Sequence, residues 1–155
     1  MKKVALNKPL PSLSFESTDS SLKNFQDLLG QNIVIYFYPK DNTPGCTQEG
    51  KNFAEQYKKF LKLNTQIIGV SRDSLTCHEK FAKKHDFNFT LIADVDEKLC
   101  NFFEVLVEKN MYGRKAIGIE RSTFLIDTKG VVRQIWRKVK VDNHVNEVLE
   151  AVKAL

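Results

Sequence analysis

Long apolar runs are missing from this sequence. The longest, Ile33–Tyr38, falls far short of the roughly 18 apolar residues of a membrane-crossing helix, so no membrane partner is expected. The basic start Met1-Lys2-Lys3 is followed by no apolar stretch, so a signal peptide is not expected either. Cysteine is scarce: Cys46, Cys77 and Cys100 are odd in number and widely spaced. That excludes a secreted disulfide framework and points to a reducing, cytoplasmic compartment, in which each thiol is either buried filler or reactive. Proline (four) and glycine (seven) form no linker, and there is no repeat or compositional break. Residues 1–155 therefore read as one domain. Charge of one sign is also lacking in excess. The 24 basic and 19 acidic residues leave +5, without a basic block or a DNA- or RNA-reading motif, so nucleic acid is not an expected partner.

What is present is an alternation of strand and helix signals. Ile33–Tyr38 is β-branched and aromatic and is stopped by Pro39, the pattern of a buried parallel strand. From Pro44 to Leu63 the period becomes helical, with Phe53, Tyr57, Phe60 and Leu61 on one stripe. Residues 66–70 read as the next strand, which makes a right-handed β-α-β unit. A helix over 74–85 and a strand over 90–93 follow. Asp94 and Glu97 resemble a capping box that opens a short helix through Phe103. Residues 104–120 read as irregular. Segments 122–126 and 131–136 flank the turn signal Asp127-Thr128-Lys129-Gly130 as a hairpin. A helix over 143–154, capped by Asp142 or Asn143, ends the chain. The fold class is α/β: a central mixed sheet flanked by helices.

Cys46 stands just after the Ile33–Tyr38 strand, in the first turn of the following helix, within Tyr38-Pro39-Lys40-Asp41-Asn42-Thr43-Pro44-Gly45-Cys46-Thr47. Sites in open α/β sheets form at the carboxyl ends of strands. Free N–H groups and the positive end of the helix dipole favour a thiolate there. Thr43 offers a hydroxyl three residues before it, and Pro44 suits a helix start. A cysteine taken alone is more often a small buried hydrophobe, but the polar Pro/Thr/Gly loop argues for chemistry. Cys77, His78 and His85 supply ligand types without a compact set of four, so no metal site is expected.

The spacing Pro39-x-x-x-Thr43-x-x-Cys46 resembles the active-site signature of the peroxiredoxins. The fuller string from Phe37 to Thr47 is similar to the peroxiredoxin Q, or bacterioferritin comigratory protein, subfamily. Gly69–Ser74 and Gly118–Asp127 agree with it, and the likeness runs along nearly the whole chain. It implies a thioredoxin-like fold and reduction of hydroperoxides by cysteine chemistry alone, without haem, flavin or metal. It makes Cys46 the peroxidatic cysteine, Thr43 the hydroxyl that holds the peroxide, and Arg121 the charge-stabilising cation. Pro39 becomes the shield against water, and Glu49 the residue that orients Arg121.

The likeness also implies a thioredoxin or similar thiol as reductant, and a monomer. Many members of the subfamily carry a resolving cysteine five residues after the first, where this chain has Lys51. Others place it in the next helix, near the position of Ala82. Cys77 starts that helix and is the resolving candidate, through a Cys46–Cys77 disulfide. An external thiol is the alternative, and Cys100 reads as a core residue. A thioredoxin-like binding module or holdase is the competing function. A general disulfide oxidoreductase is disfavoured, because Glu49 stands where Cys-x-x-Cys chemistry needs a second cysteine.

Overall fold

The computed structural model describes residues 3–155, the side chain of Met111 apart; Met1 and Lys2 of the basic start lie outside it. Its strands are β1 (Glu16–Ser17), β2 (Asn32–Phe37), β3 (Thr65–Ser71), β4 (Thr90–Ala93), β5 (Leu106–Met111), β6 (Arg114–Ile119), β7 (Ser122–Ile126) and β8 (Val132–Trp136). Its helices are α1 (Pro44–Lys62), α2 (Leu75–His85), α3 (Lys98–Phe102) and α4 (His144–Lys153), with a 3-10 turn at Phe25–Leu28. Six strands form a mixed sheet in the order β1-β4-β3-β2-β7-β8. The β2–β3 and β3–β4 pairs are parallel, and the β1–β4, β2–β7 and β7–β8 pairs antiparallel.

β2 is buried on both faces. Ile33, Ile35 and Phe37 enter one core layer, with the 3-10 turn and α3. Val34, Tyr36 and Tyr38 enter the other, with α1, α2 and α4. This two-sided burial explains the unbroken apolar run. Tyr38 lies one residue past the strand, yet its N–H still donates to the Val70 carbonyl at 3.1 Å. Along α1, Phe53, Tyr57 and Phe60 are buried, but Leu61 is 44% exposed, one position beyond the packed stripe. Gly50 lets α1 meet the Phe87 ring, which a Cβ there would approach to 2.4 Å.

Three further sequence expectations are corrected. Residues 106–119 form the β5–β6 hairpin, turned by Tyr112 and Gly113, both at positive φ, as a two-residue primed turn requires. Asp94 and Glu97 make no capping box. Glu97 is left-handed at φ 63 and gives α3 no side-chain cap. The Asp94 carboxylate accepts from the Leu99 and Cys100 N–H groups instead, at 3.0 and 2.8 Å. Asn143 holds the cap position of α4 in the left-handed region, also without a side-chain cap.

His144 opens α4 beneath β7, where its Nε2 and the Thr123 hydroxyl share a 2.7 Å hydrogen bond. Burial, and the charge of Arg121, push its imidazole down to about 4. The unfolded chain takes up this proton below about pH 6.5, and the folded chain only near pH 4. The stability owed to neutral His144 is thus complete above pH 6.5 and is lost as pH falls toward 4. His144→Gln is expected to flatten that decline in denaturant unfolding between pH 7 and 4.5. An unchanged slope would contradict the account.

Candidate active site

The loop 38–43 leaves β2, and Pro44 starts α1. The first intrahelical bond runs from the Thr47 N–H to the Thr43 carbonyl, at 2.9 Å. The N–H groups of Gly45 and Cys46 precede it and have no helical acceptor. Cys46 follows on the inner face of the first turn, 2% exposed. Thr43 occupies the cap position, but its hydroxyl donates to the Lys40 carbonyl at 2.7 Å rather than to the helix. Its oxygen lone pairs thus remain able to accept from a ligand. Pro39 is half-buried at the base of the loop.

Arg121 precedes β7, far from Cys46 in sequence, and β7 pairs directly with β2. Its Nη2 donates to Cys46 Sγ at 3.5 Å, while its Nη1 donates to Glu49 Oε1 at 2.6 Å. A fixed planar fork suits this double contact. Gly45 leaves the room, since a Cβ there would lie 3.2 Å from Nη2. Burial alone would lower the Arg121 pKa, but Glu49 and Cys46 together raise it, so the cation is secure. Glu49 is fully buried, one helical turn after Cys46, and its second oxygen has no partner. Burial pushes its carboxyl up to about 7, with Arg121 pulling the other way.

Two further cations lie on this side of the sheet. Arg72 pairs with Glu97 at 2.9 Å and donates to the Ile117 carbonyl at 3.2 Å. The Lys109 ammonium lies across Gly118 and donates to the Ile119 carbonyl at 2.6 Å.

Of the residues singled out in the sequence, Cys46, Glu49 and Arg121 therefore meet in direct contact, while Pro39 and Thr43 lie in the loop that leads into the first turn of α1. Cys77 lies at the start of α2, at the same sheet edge. Its N–H is capped by the Ser74 hydroxyl at 3.2 Å, and its thiol lies 3.9 Å from Asp73. Burial, together with the Asp41 and Asp73 carboxylates, pushes Cys77 up to about 11. Cys100 is fully buried in the opposite core layer, and burial with Asp94 holds its thiol protonated. All three cysteines are free thiols.

Sequence reasoning missed the group beneath the loop. Asp41 and His78 form a fully buried pair at 2.7 Å. Their separation along the chain hides the contact, and the only local signal is Asp41 following Tyr38 at short range. His85 meets Phe81 edge-on and stacks on Phe87 instead.

Comparison with known proteins places the chain in a family. Residues 6–135 match the AhpC/TSA family. The chain belongs to that family. Peroxiredoxin Bcp of Xanthomonas campestris is 50% identical over 149 residues, which span 94% of this chain and 93% of the relative. Among solved structures, peroxiredoxin Q of Xylella fastidiosa superposes with a TM-score of 0.92 at 40% identity, covering 99% and 98% of the two chains. Peroxiredoxin Q of Xanthomonas campestris, and the Xanthomonas campestris bacterioferritin comigratory protein studied for its alkyl peroxide reduction activity, each give 0.87 at 48% identity, over 92% and 90%. The chain is thus a peroxiredoxin with a thioredoxin-like fold, an oxidoreductase of the thiol-dependent peroxidase class rather than a binding module. No helix among the described residues is long and apolar enough to cross a membrane.

Proposed function

We propose that Cys46 is the peroxidatic cysteine of a single peroxiredoxin domain, residues 1–155, which reduces hydrogen peroxide and organic hydroperoxides in the cytoplasm. The observation that supports this most is the guanidinium of Arg121, anchored on Glu49 at 2.6 Å and turned onto Cys46 Sγ at 3.5 Å. It offers a fixed positive charge to sulfur as a thiolate and to the oxygen that leaves. The alkyl peroxide reduction studied in the Xanthomonas relative agrees with organic hydroperoxides as substrates. Three unpaired thiols suit a reducing compartment.

The Cys46 thiolate attacks one peroxide oxygen in line with the O–O bond. Sulfur gains that hydroxyl as sulfenic acid, the O–O electron pair leaves on the other oxygen, and a solvent proton completes water or an alcohol. The Thr43 oxygen accepts from the peroxide O–H. The free N–H groups of Gly45 and Cys46 and the Arg121 fork bear on the developing charge. Pro39 walls the sulfur from water, and Glu49 is a positioning residue for Arg121.

A second thiol then displaces water from the sulfenic acid to form a disulfide, and a dithiol of the thioredoxin kind reduces it. Cys77 is the resolving thiol in this chain, acting within a monomer. Both cysteines lie in the first turns of helices that follow the neighbouring parallel strands β2 and β3. Cys46 is held inside the first turn of α1 at 2% exposure and Cys77 against Asp73 in the first turn of α2, while a disulfide needs Cα atoms within roughly 7 Å and Cβ vectors that face each other. Local unwinding must therefore precede the bond, and it also frees Cys77 from the carboxylates that hold it protonated.

Peroxide-dependent oxidation of thioredoxin, followed through NADPH and thioredoxin reductase, tests the activity. Steady turnover is expected, and no turnover with thioredoxin or a small dithiol would contradict it. Cys77→Ser should stop thioredoxin-dependent cycling and remove the Cys46–Cys77 peptide from non-reducing digests. Full cycling in that variant would assign resolution to an external thiol.

A further inference from the structure

The loop that carries Pro39 and Thr43 is pinned from beneath by a polar group outside the proposed chemistry. Asp41 is buried in the middle of it. Its carboxylate accepts from the Tyr38 hydroxyl at 2.6 Å and faces His78 Nδ1 at 2.7 Å. Its backbone N–H donates to the Asp73 carboxylate at 2.9 Å, which also accepts from the Ser71 hydroxyl. His78 in turn bonds the Ile92 carbonyl of β4 through Nε2, at 2.8 Å. A carbonyl only accepts, so Nε2 carries a proton, and a further proton lies between Nδ1 and the Asp41 carboxylate. Both side chains of the pair are fully buried. The loop is thereby tied to α2, one residue past Cys77, and to the β3–α2 turn through Asp73.

We propose that the Asp41–His78 pair is a latch, a positioning pair that holds the Cys46 loop closed for attack on peroxide and must part before any second thiol reaches Cys46. This rests on Cys46 being the peroxidatic residue but not on Cys77 being the resolving one. At 2% exposure, the sulfur is closed to an external thiol as much as to Cys77. Opening breaks a pair whose side chains are both fully buried, and parting a buried pair is costly, so it is rare. Because His78 follows Cys77 on α2, unwinding that first turn pulls on the latch, and release of the two segments is coupled.

The closed form is also the form exposed to overoxidation, in which sulfenic Cys46 takes the oxygen of a second hydroperoxide, becomes sulfinic acid and releases water or alcohol. A loosened latch moves the two outcomes in opposite directions. Asp41→Asn keeps the volume and removes the charge; His78→Phe keeps a ring and removes the polar contacts with Asp41, Ile92 and Tyr38. In each, first-step oxidation of Cys46 should slow. The peroxide concentration that half-converts Cys46 to sulfinic acid under turnover should rise about tenfold, the factor given by a 1.4 kcal/mol shift in the opening equilibrium. His78→Gln, which keeps one hydrogen bond, should fall between these variants and the wild type.

Unchanged resistance to overoxidation, or a fall in resistance alongside a lowered melting temperature, would overturn the latch. If the variants do not fold, the wild type decides. The interior Nε2–H proton signal of His78 should be present in the reduced protein and lost once Cys46 is held in a disulfide; its persistence would overturn the proposal. Peroxide turnover surviving in Cys46→Ser would instead refute the underlying site assignment.

Discussion

Cys46→Ser is expected to remove peroxide turnover while leaving the fold unchanged. Sulfur and oxygen differ little in volume at this position, and the neighbours of Cys46 in its core layer are large rings and aliphatic side chains that do not depend on it. The hydroxyl is a far weaker nucleophile at neutral pH, and no neighbouring histidine is placed to deprotonate it: His78 is taken up by Asp41 and Ile92, and His144 by Thr123. Cys77 cannot substitute, since burial and two carboxylates hold its thiol up at about 11. Steady-state peroxide consumption beside a thermal unfolding curve checks this. A variant that melts like the wild type and still turns over peroxide would place the chemistry elsewhere.

Arg121→Ala is expected to slow oxidation of Cys46 by about a hundredfold to a thousandfold, the 2.7–4 kcal/mol typical for removal of one charge-stabilising donor. The change deletes the guanidinium bonded to the sulfur and leaves Glu49 buried with neither oxygen paired. Arg121→Lys should recover only part of the rate, because an ammonium cannot hold Glu49 and the sulfur with one planar fork. Thr43→Val should cost less, since backbone N–H groups and Arg121 remain. Stopped-flow oxidation with a single dose of peroxide separates these variants. Equal rates in wild type and Arg121→Ala would mean that the arginine orients nothing at the reacting atom.

The central strand, the loop and the three long helices were legible because local pattern and tertiary environment agree there. β2 reads as buried because it is covered on both faces, and Cys46 reads as reactive because Pro44 fixes the helix start beside it. Arg121 and Glu49 were legible only through the family likeness, since β2–β7 pairing brings them together across a long stretch of chain. The β5–β6 hairpin was read as irregular because it stands apart from the six-stranded sheet. Its strands need no apolar face, and Tyr112-Gly113 is not a strong turn signal. The caps of α3 failed because a carboxylate further upstream, Asp94, serves the helix while Glu97 goes to Arg72. The Asp41–His78 pair was invisible because nothing in a single sequence links a loop aspartate to a histidine on the next helix.

The most direct test of the account is mass spectrometry of the reduced protein after one equivalent of peroxide, with a trap for sulfenic acid and digestion under non-reducing conditions. The account predicts oxidation at Cys46, seen as trapped sulfenic acid or as its disulfide with Cys77, and an unmodified Cys100. Oxidation that begins at Cys77 or Cys100 while Cys46 stays reduced would contradict it.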